Sequence, residues 1–217
     1  MLKNRVLTLS LISGLALLVA VPVVHGNIID TTHGAGTGSF EIGGFPSPPS
    51  GGFLRRTSGS FSNWNVGGSG IDWLKESRFG ADDGEYSVDL QASAPGSVFL
   101  DIPTAVGEVY ELSFASARPS GFGATSGRVT AGDLSQDFAP AIGGSLAAPN
   151  WVQHTFDFTA STSTTTITFA ALTASQGSFG PMLDDVVVVV KQVPAPAPAL
   201  LLGGGLLALV WLRSRRA

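Results

Sequence analysis

The sequence predicts an all-β chain: a two-sheet jelly-roll sandwich flanked by an N-terminal signal peptide and a C-terminal transmembrane helix. Three observations carry that prediction. Between Asn27 and Gln192 helical periodicity is nearly missing, and short alternating apolar runs are separated by Gly, Pro, Asn and Ser. Residues 186–190 form an unbroken β-branched run, the pattern of a strand covered on both faces. Apolar runs with basic flanks stand at the two ends of the chain and leave one middle segment, long enough for a single domain with a good-sized core.

At the N-terminus Lys3 and Arg5 form a positive region, residues 7–21 an apolar one, and Val24-His25-Gly26 ends on a small residue, so residues 1–26 read as a signal peptide and Asn27 as the first mature residue. An uncleaved anchor is the competing reading. The domain then spans 27–192. Its segment 32–59 is dominated by Gly, Ser and Pro, with Pro46, Pro48 and Pro49 close together, and is expected to be one long flexible loop. Strands are expected over 61–66, 86–90, 98–102, 109–116, 127–131, 151–159, 165–171 and 182–191. Tyr110, Leu112 and Phe114 share a face of one, and Val152, His154, Phe156 and Phe158 a face of another. Several short strands with turn signals between them give a sandwich, and a jelly roll is the favoured form.

The C-terminus, 193–217, has three parts. Pro194, Pro196 and Pro198 make an extended spacer. An apolar run follows, and Arg213, Arg215 and Arg216 close the chain, holding their end on the cytoplasmic side and everything before Val193 outside. Counted from Ala197 to Leu212 the helix reaches only about 24 Å at ~1.5 Å per residue. That is less than the ~30 Å of bilayer hydrocarbon. Trp211 at the interface and snorkelling arginines lower the cost of the mismatch. A buried core helix is the alternative, but it lacks a polar face and ends in arginines.

Composition excludes several functions. The chain has no cysteine, so neither disulfides nor thiolate metal sites are available. The middle segment holds seven Lys and Arg against all sixteen Asp and Glu, a net charge of −9, which is the wrong sign for nucleic acid or anionic lipid. Solubilising surface charge is the plain account of it. Among the three histidines, His25 leaves with the signal peptide, His33 sits in a Gly-rich stretch, and His154 falls on an apolar strand face, where a hydrogen-bonded core histidine is expected. No serine-hydrolase elbow, zinc helix, phosphate loop or dinucleotide fingerprint occurs. Asp82 and Asp83, with Glu85, are the candidate carboxylates for glycoside hydrolysis, yet adjacent residues on an extended strand point apart, whereas that chemistry needs carboxyls facing each other across about 5–10 Å.

Sugar binding requires an aromatic ring to cover a pyranose face and polar groups to bind its hydroxyls. Trp73, Phe79 and Tyr86, among Asp72, Lys75, Glu76, Arg78 and Asp82, form the candidate carbohydrate patch, in a stretch that reads as loop-rich. Core packing is the alternative for Trp73, and the expected role for Trp64 and Trp151.

Two resemblances rest on these residues. The tail (Val193, Pro194, Ala195, Pro196, then the short apolar run and Arg213, Arg215 and Arg216) resembles the PEP-CTERM sorting signal of exopolysaccharide-producing bacteria, with Ala195 where that motif has Glu. The resemblance implies recognition by an exosortase, removal of the tail, and delivery to the cell envelope, surface or extracellular matrix. Gly38-Ser39-Phe40-Glu41, Ile71-Asp72-Trp73, Asp83-Gly84-Glu85-Tyr86-Ser87-Val88-Asp89-Leu90, Gly107 to Phe114, and Gly180-Pro181-Met182-Leu183-Asp184-Asp185-Val186 occur in an order that resembles the choice-of-anchor C family of bacterial surface proteins. Thr37 stands where an Asn commonly precedes the first of these motifs. That family is similar to the galactose-binding-like jelly rolls of carbohydrate-binding modules. The resemblance implies a structural calcium between first and last strands, with Glu41 and Asp184 as ligands and Asp83 as a third. Calcium takes about 6–8 oxygens, several of which are carbonyls or water. In the alternative, Glu41 is solvated and Asp184 caps a strand end or pairs with an arginine. The expected function is therefore an exported, non-catalytic protein that binds or organises polysaccharide, with a purely structural matrix protein, a single-span surface protein without a glycan ligand, and a polysaccharide hydrolase as the rivals.

Overall fold

The structure, a computed structural model, describes residues 26–43, 51–140, 142–173 and 179–191. Residues 1–25 of the expected signal peptide, the expected C-terminal helix and the expected sorting residues Val193, Pro194, Ala195, Pro196, Arg213, Arg215 and Arg216 lie outside these residues. Among the described residues no helix is long and apolar enough to cross a membrane.

One short helix, α1 (Ile28–His33), precedes the strands β1 (Phe53–Arg56), β2 (Ser60–Phe61), β3 (Trp64–Gly68), β4 (Ile71–Lys75), β5 (Tyr86–Asp89) and β6 (Gly96–Pro103). There follow β7 (Val109–Ala117), β8 (Gly127–Ala131), β9 (Leu134–Phe138), β10 (Val152–Thr159), β11 (Thr164–Ala171) and β12 (Met182–Val190). They form two six-stranded sheets, β1-β4-β5-β12-β7-β10 and β2-β3-β6-β11-β8-β9, with every pairing antiparallel. Numbering the last eight strands one to eight gives the orders 1-8-3-6 and 2-7-4-5. That is the double Greek key of a jelly roll, and β1 to β4 extend both sheets at one end.

Alternation builds the core. Val98, Leu100 and Ile102 of β6 and Ile167 and Phe169 of β11 face Tyr110, Leu112 and Phe114 of β7, all buried. Burial of such side chains stabilises the fold by roughly 1.5–3 kcal/mol each. In β12, Val186 and Val188 are buried but Val187, Val189 and Val190 only half so, so the valine run is covered fully on one face rather than on both. A register shift between Asp184 and Val187, with Asp185 at φ 46°, bends the strand there.

The segment 32–59 is not one long loop. It contains the end of α1, a series of tight turns and β1, and Thr37, Ser39 and Phe40 are buried. The physical reason lies in its hydrogen bonding: Gly38 N–H donates to Asp30 Oδ1 (2.9 Å), the Gly38 carbonyl accepts from Val186 N–H (3.0 Å), and Thr37 C=O accepts from Trp64 Nε1 (2.8 Å). Those bonds set Phe40 against Phe61 and Trp64, with ring centroids 5.9 and 5.5 Å away. Asn27 N-caps α1 by accepting from Ile29 N–H, and the same side chain bonds the backbone of Val186 and Val188 in β12. The helix rests against β12 and β6, one strand from each sheet, and His33 reaches the carbonyl of Asp101 (2.7 Å). The expected strand 61–66 is broken by Ser62 and Asn63 at positive φ, and β1, β4 and β9 are strands that alternation does not single out.

Candidate functional site

On the sheet that contains β1, β4 and β5, strand register brings together charged residues far apart in sequence. Arg55 lies opposite Asp72, and Asp72 opposite Asp89. Their neighbour Trp73 points the other way, into the core. Arg55 holds Asp72 in a two-pronged ion pair, Nε to Oδ1 and an NH2 group to Oδ2, both 2.8 Å, and its NH2 also donates to the Ala92 carbonyl (3.2 Å). Donation to the Asp72 carboxylate raises the Arg55 pKa. That fixed geometry suits arginine and would not survive replacement by lysine.

Asp89 sits deeper. Its Oδ1 accepts from the N–H groups of Gln91 (2.9 Å) and Gly180 (2.7 Å), while Oδ2 is buried without a hydrogen-bond partner. Burial pushes its pKa up to about 8, against the lowering effect of those two amides; the nearby Asp72 charge adds to the rise and Arg118 opposes it. Gly180 also offers its carbonyl to an NH1 group of the buried Arg118 (2.9 Å), whose Nε donates to the Gly123 carbonyl (2.9 Å). Only glycine fits at this junction: a Cβ on Gly180 would lie 2.7 Å from Gln91 Cβ and 2.9 Å from Asp89 Oδ1.

Above this row opens a cleft of about 220 Å³, lined by Arg55, Asp72 and Asp89 together with Arg78, Phe53, Leu74, Phe79 and Phe179. The rings of Phe53 and Phe79 meet edge to face at 6.4 Å, and Phe79 lies 6.2 Å from Phe179. Arg78 covers the Phe79 ring and anchors an NH1 group on the Gly51 carbonyl (2.8 Å). Apolar rings beside fixed hydrogen-bonding groups form the chemistry a small polyhydroxylated ring requires.

The candidate carbohydrate residues divide. Trp73 and Tyr86 are buried against one another in the main core, ring centroids 5.1 Å apart, and so offer no face to a sugar. The error came from their charged neighbours: β4 is buried at Ile71, Asp72, Trp73 and Leu74 alike, so its polar side chains do not mark an exposed stretch. Phe79 belongs to a second, smaller cluster with Leu74, Ala117 and Met182, and it does line the cleft. Arg55, Asp72 and Asp89 are joined by register alone, which their spacing in the sequence does not reveal.

The carboxylates nominated for calcium are directed at backbone amides. Glu41 Oε1 accepts from Glu85 and Tyr86 N–H (both 2.8 Å). Asp184 Oδ2 accepts from Asp82 (2.7 Å) and Asp83 (3.1 Å) N–H, and Oδ1 from Asp185 N–H (2.8 Å). The two side chains clamp the 82–86 turn, where Gly84 at φ 70° leaves room for Glu41: a Cβ there would come within 2.4 Å of Oε1. Burial raises the Glu41 pKa and pushes that of Asp184 up to about 8. Asp82 is also raised by burial and by the charge of Asp83, although Gln153 donates to its Oδ2 (2.9 Å). Among the described residues no three Asp, Glu or His side chains converge to hold a metal ion, and the oxygens of Glu41 and Asp184 named above are taken up by backbone amides. His154 bonds Ser116 Oγ through Nε2 (2.7 Å) and stacks on Phe114 at 5.0 Å, and burial lowers its pKa.

Fold and cleft together define a jelly-roll domain with an aromatic-rimmed polar recess on one sheet. The chain belongs to the DUF642 family, described as proteins of unknown function, whose model matches residues 36–189. It is 29% identical over 193 residues to halomucin of Haloquadratum walsbyi (strain DSM 16790 / HBSQ001); the match takes in 87% of this chain, which spans about 2% of halomucin's length. Solved structures similar to it include TmCBM61 in complex with β-1,4-galactotriose (TM-score 0.43, 18% identity, 64% of this chain and 99% of that one). A family 35 carbohydrate-binding module from Clostridium thermocellum has TM-score 0.43 at 13% identity, covering 64% of this chain and 98% of that one. The isomalto-dextranase of Arthrobacter globiformis T6 complexed with panose has TM-score 0.42 at 18% identity, covering 65% and 24%.

Proposed function

We propose that this chain is an exported, non-catalytic surface or matrix protein whose jelly-roll domain binds glycan in the cleft between Arg55, Asp72, Asp89 and the rings of Phe53, Phe79 and Phe179. The cleft carries the reading: its rings cover an apolar sugar face while fixed carboxyl and guanidinium groups take hydroxyls. Delivery rests on the sequence. Val193, Pro194, Ala195 and Pro196, the apolar run and the terminal arginines make the chain a substrate for an exosortase-type enzyme, held in the inner membrane until the tail is removed.

A glycan array probed with the full-length chain tests the binding, with β-galactan oligosaccharides and bacterial exopolysaccharide among the probes. Retention on one glycan class, lost in Phe79→Ala and Arg78→Ala variants that melt cooperatively, is the expected result. Retention on none makes this a structural matrix protein instead. Intact mass and fractionation of cells with and without exosortase test the sorting, and a full tail in the inner membrane of both strains refutes it.

A further inference from the structure

Asp89 lines the cleft from a buried position, with one oxygen engaged and the other buried without a partner. Two backbone amides hold Oδ1, and they fix the carboxyl so that it cannot turn to satisfy Oδ2 by rotation. Neither neighbouring guanidinium donates to it: Arg55 bonds Asp72 and the Ala92 carbonyl, and Arg78 bonds the Gly51 carbonyl. A buried carboxyl oxygen left in this state costs free energy until a hydroxyl or a water reaches it. The cleft beside it, about 220 Å³, is smaller than the ~300–1,000 Å³ of pockets that take drug-sized ligands. It therefore suits one sugar ring, not a run of several.

We propose that Oδ2 of Asp89 is the hydrogen-bonding anchor for one particular hydroxyl of a single sugar ring seated in this cleft, making Asp89 the residue that selects among stereoisomeric sugars. The inference rests on the glycan reading and deepens it. Its chemistry is that of a site built around one hydroxyl: a ligand lacking that group leaves the carboxyl unpaired and is rejected far more strongly than one lacking a hydroxyl elsewhere. The Phe53, Phe79 and Phe179 rings supply contact area for the apolar face of that sugar.

The test is calorimetric titration of the full-length chain with the methyl glycosides of galactose, glucose, mannose and xylose, followed by the monodeoxy series of the best binder. One deoxy position is expected to weaken binding tenfold or more, with the others within about threefold. In Asp89→Ala, which leaves neither an acceptor nor a donor at the Oδ2 position, that position's penalty should vanish. Equal small losses at every position, or an unchanged penalty in Asp89→Ala, overturn the role of Asp89 while leaving glycan binding intact. Oligosaccharides that bind where no monosaccharide does overturn the single-ring part. Failure of every glycoside and oligosaccharide overturns the glycan reading itself. Should Asp89→Ala fail to fold, Asp89→Ser, whose single oxygen can accept from the amides and leaves nothing at the Oδ2 position, is read the same way.

Discussion

Asp89 and Asp184 stand on neighbouring strands of one sheet, and burial pushes both carboxyls up to about 8. Their surroundings differ in one respect. Asp184 spends both oxygens on three backbone amides of its own chain and closes a turn; Asp89 spends one oxygen on two amides and leaves the other facing nothing. A shifted pKa is thus common to a structural clamp and to a candidate binding group, and the count of satisfied oxygens separates them.

The largest effect should come from breaking the clamp. Asp184→Ala strips acceptors from the amides of Asp82, Asp83 and Asp185 and is expected to cost about 3–5 kcal/mol in chemical denaturation. Asp89→Ala should cost less, about 1–3 kcal/mol. A smaller cost for Asp184→Ala than for Asp89→Ala would reverse the assignment of the two roles.

Next in size is a pH effect shared by both. Each carboxyl is raised from 3.8 to about 8 in the folded state, so the folded chain binds these protons more tightly than the unfolded one. Their stabilising contribution is complete below about pH 4 and is lost as the pH rises through 8, a change on the order of a few kcal/mol. The melting temperature should therefore fall between pH 5 and 9, and the fall should be shallower in the Asp89→Asn, Asp184→Asn double variant. A melting curve that rises over that interval would contradict the burial of these groups.

A smaller change is expected at the mouth of the cleft. Arg55→Lys replaces a two-pronged contact by a single point charge over a buried Asp72; because Arg55 is itself well exposed, the loss should be about 1 kcal/mol or less. Glycan affinity should drop with it. Smallest of all is the response to chelator: with Glu41 and Asp184 turned to amides, the melting temperature should agree within about 1 °C in EDTA and in millimolar calcium. A rise of several degrees in calcium would restore the ion the sequence suggested.

Alternation carried most of the sandwich. The strands β5 to β8 and β10 to β12 fall on the expected segments, most plainly in β7, where Tyr110, Leu112 and Phe114 recur every second residue, and in β11, where Ile167 and Phe169 do. What alternation could not give is register, and the cleft is a product of register: Arg55, Asp72 and Asp89 meet only because β1, β4 and β5 align side by side. β1 is a short edge strand and β4 is buried on both faces, so neither shows the two-residue period that betrays a half-buried strand. A trace was present nonetheless in Ser87-Val88-Asp89-Leu90, where an acidic residue sits in a segment otherwise headed for the core. Trp73 and Tyr86 misled because large rings beside charges have the same composition in a core as in a sugar site.

The pairing of β5 with β12 bears on the order of assembly. Asp89 finds its register partner at Met182, and one of the two amides fixing its carboxyl belongs to Gly180. During synthesis the first strand of the jelly roll must wait for its last, and contacts so distant in sequence form slowly. The recess is consequently completed only at the end of folding. A chain truncated before β12 could retain several hairpins and still have no cleft, so ligand binding doubles as a readout of chain completion.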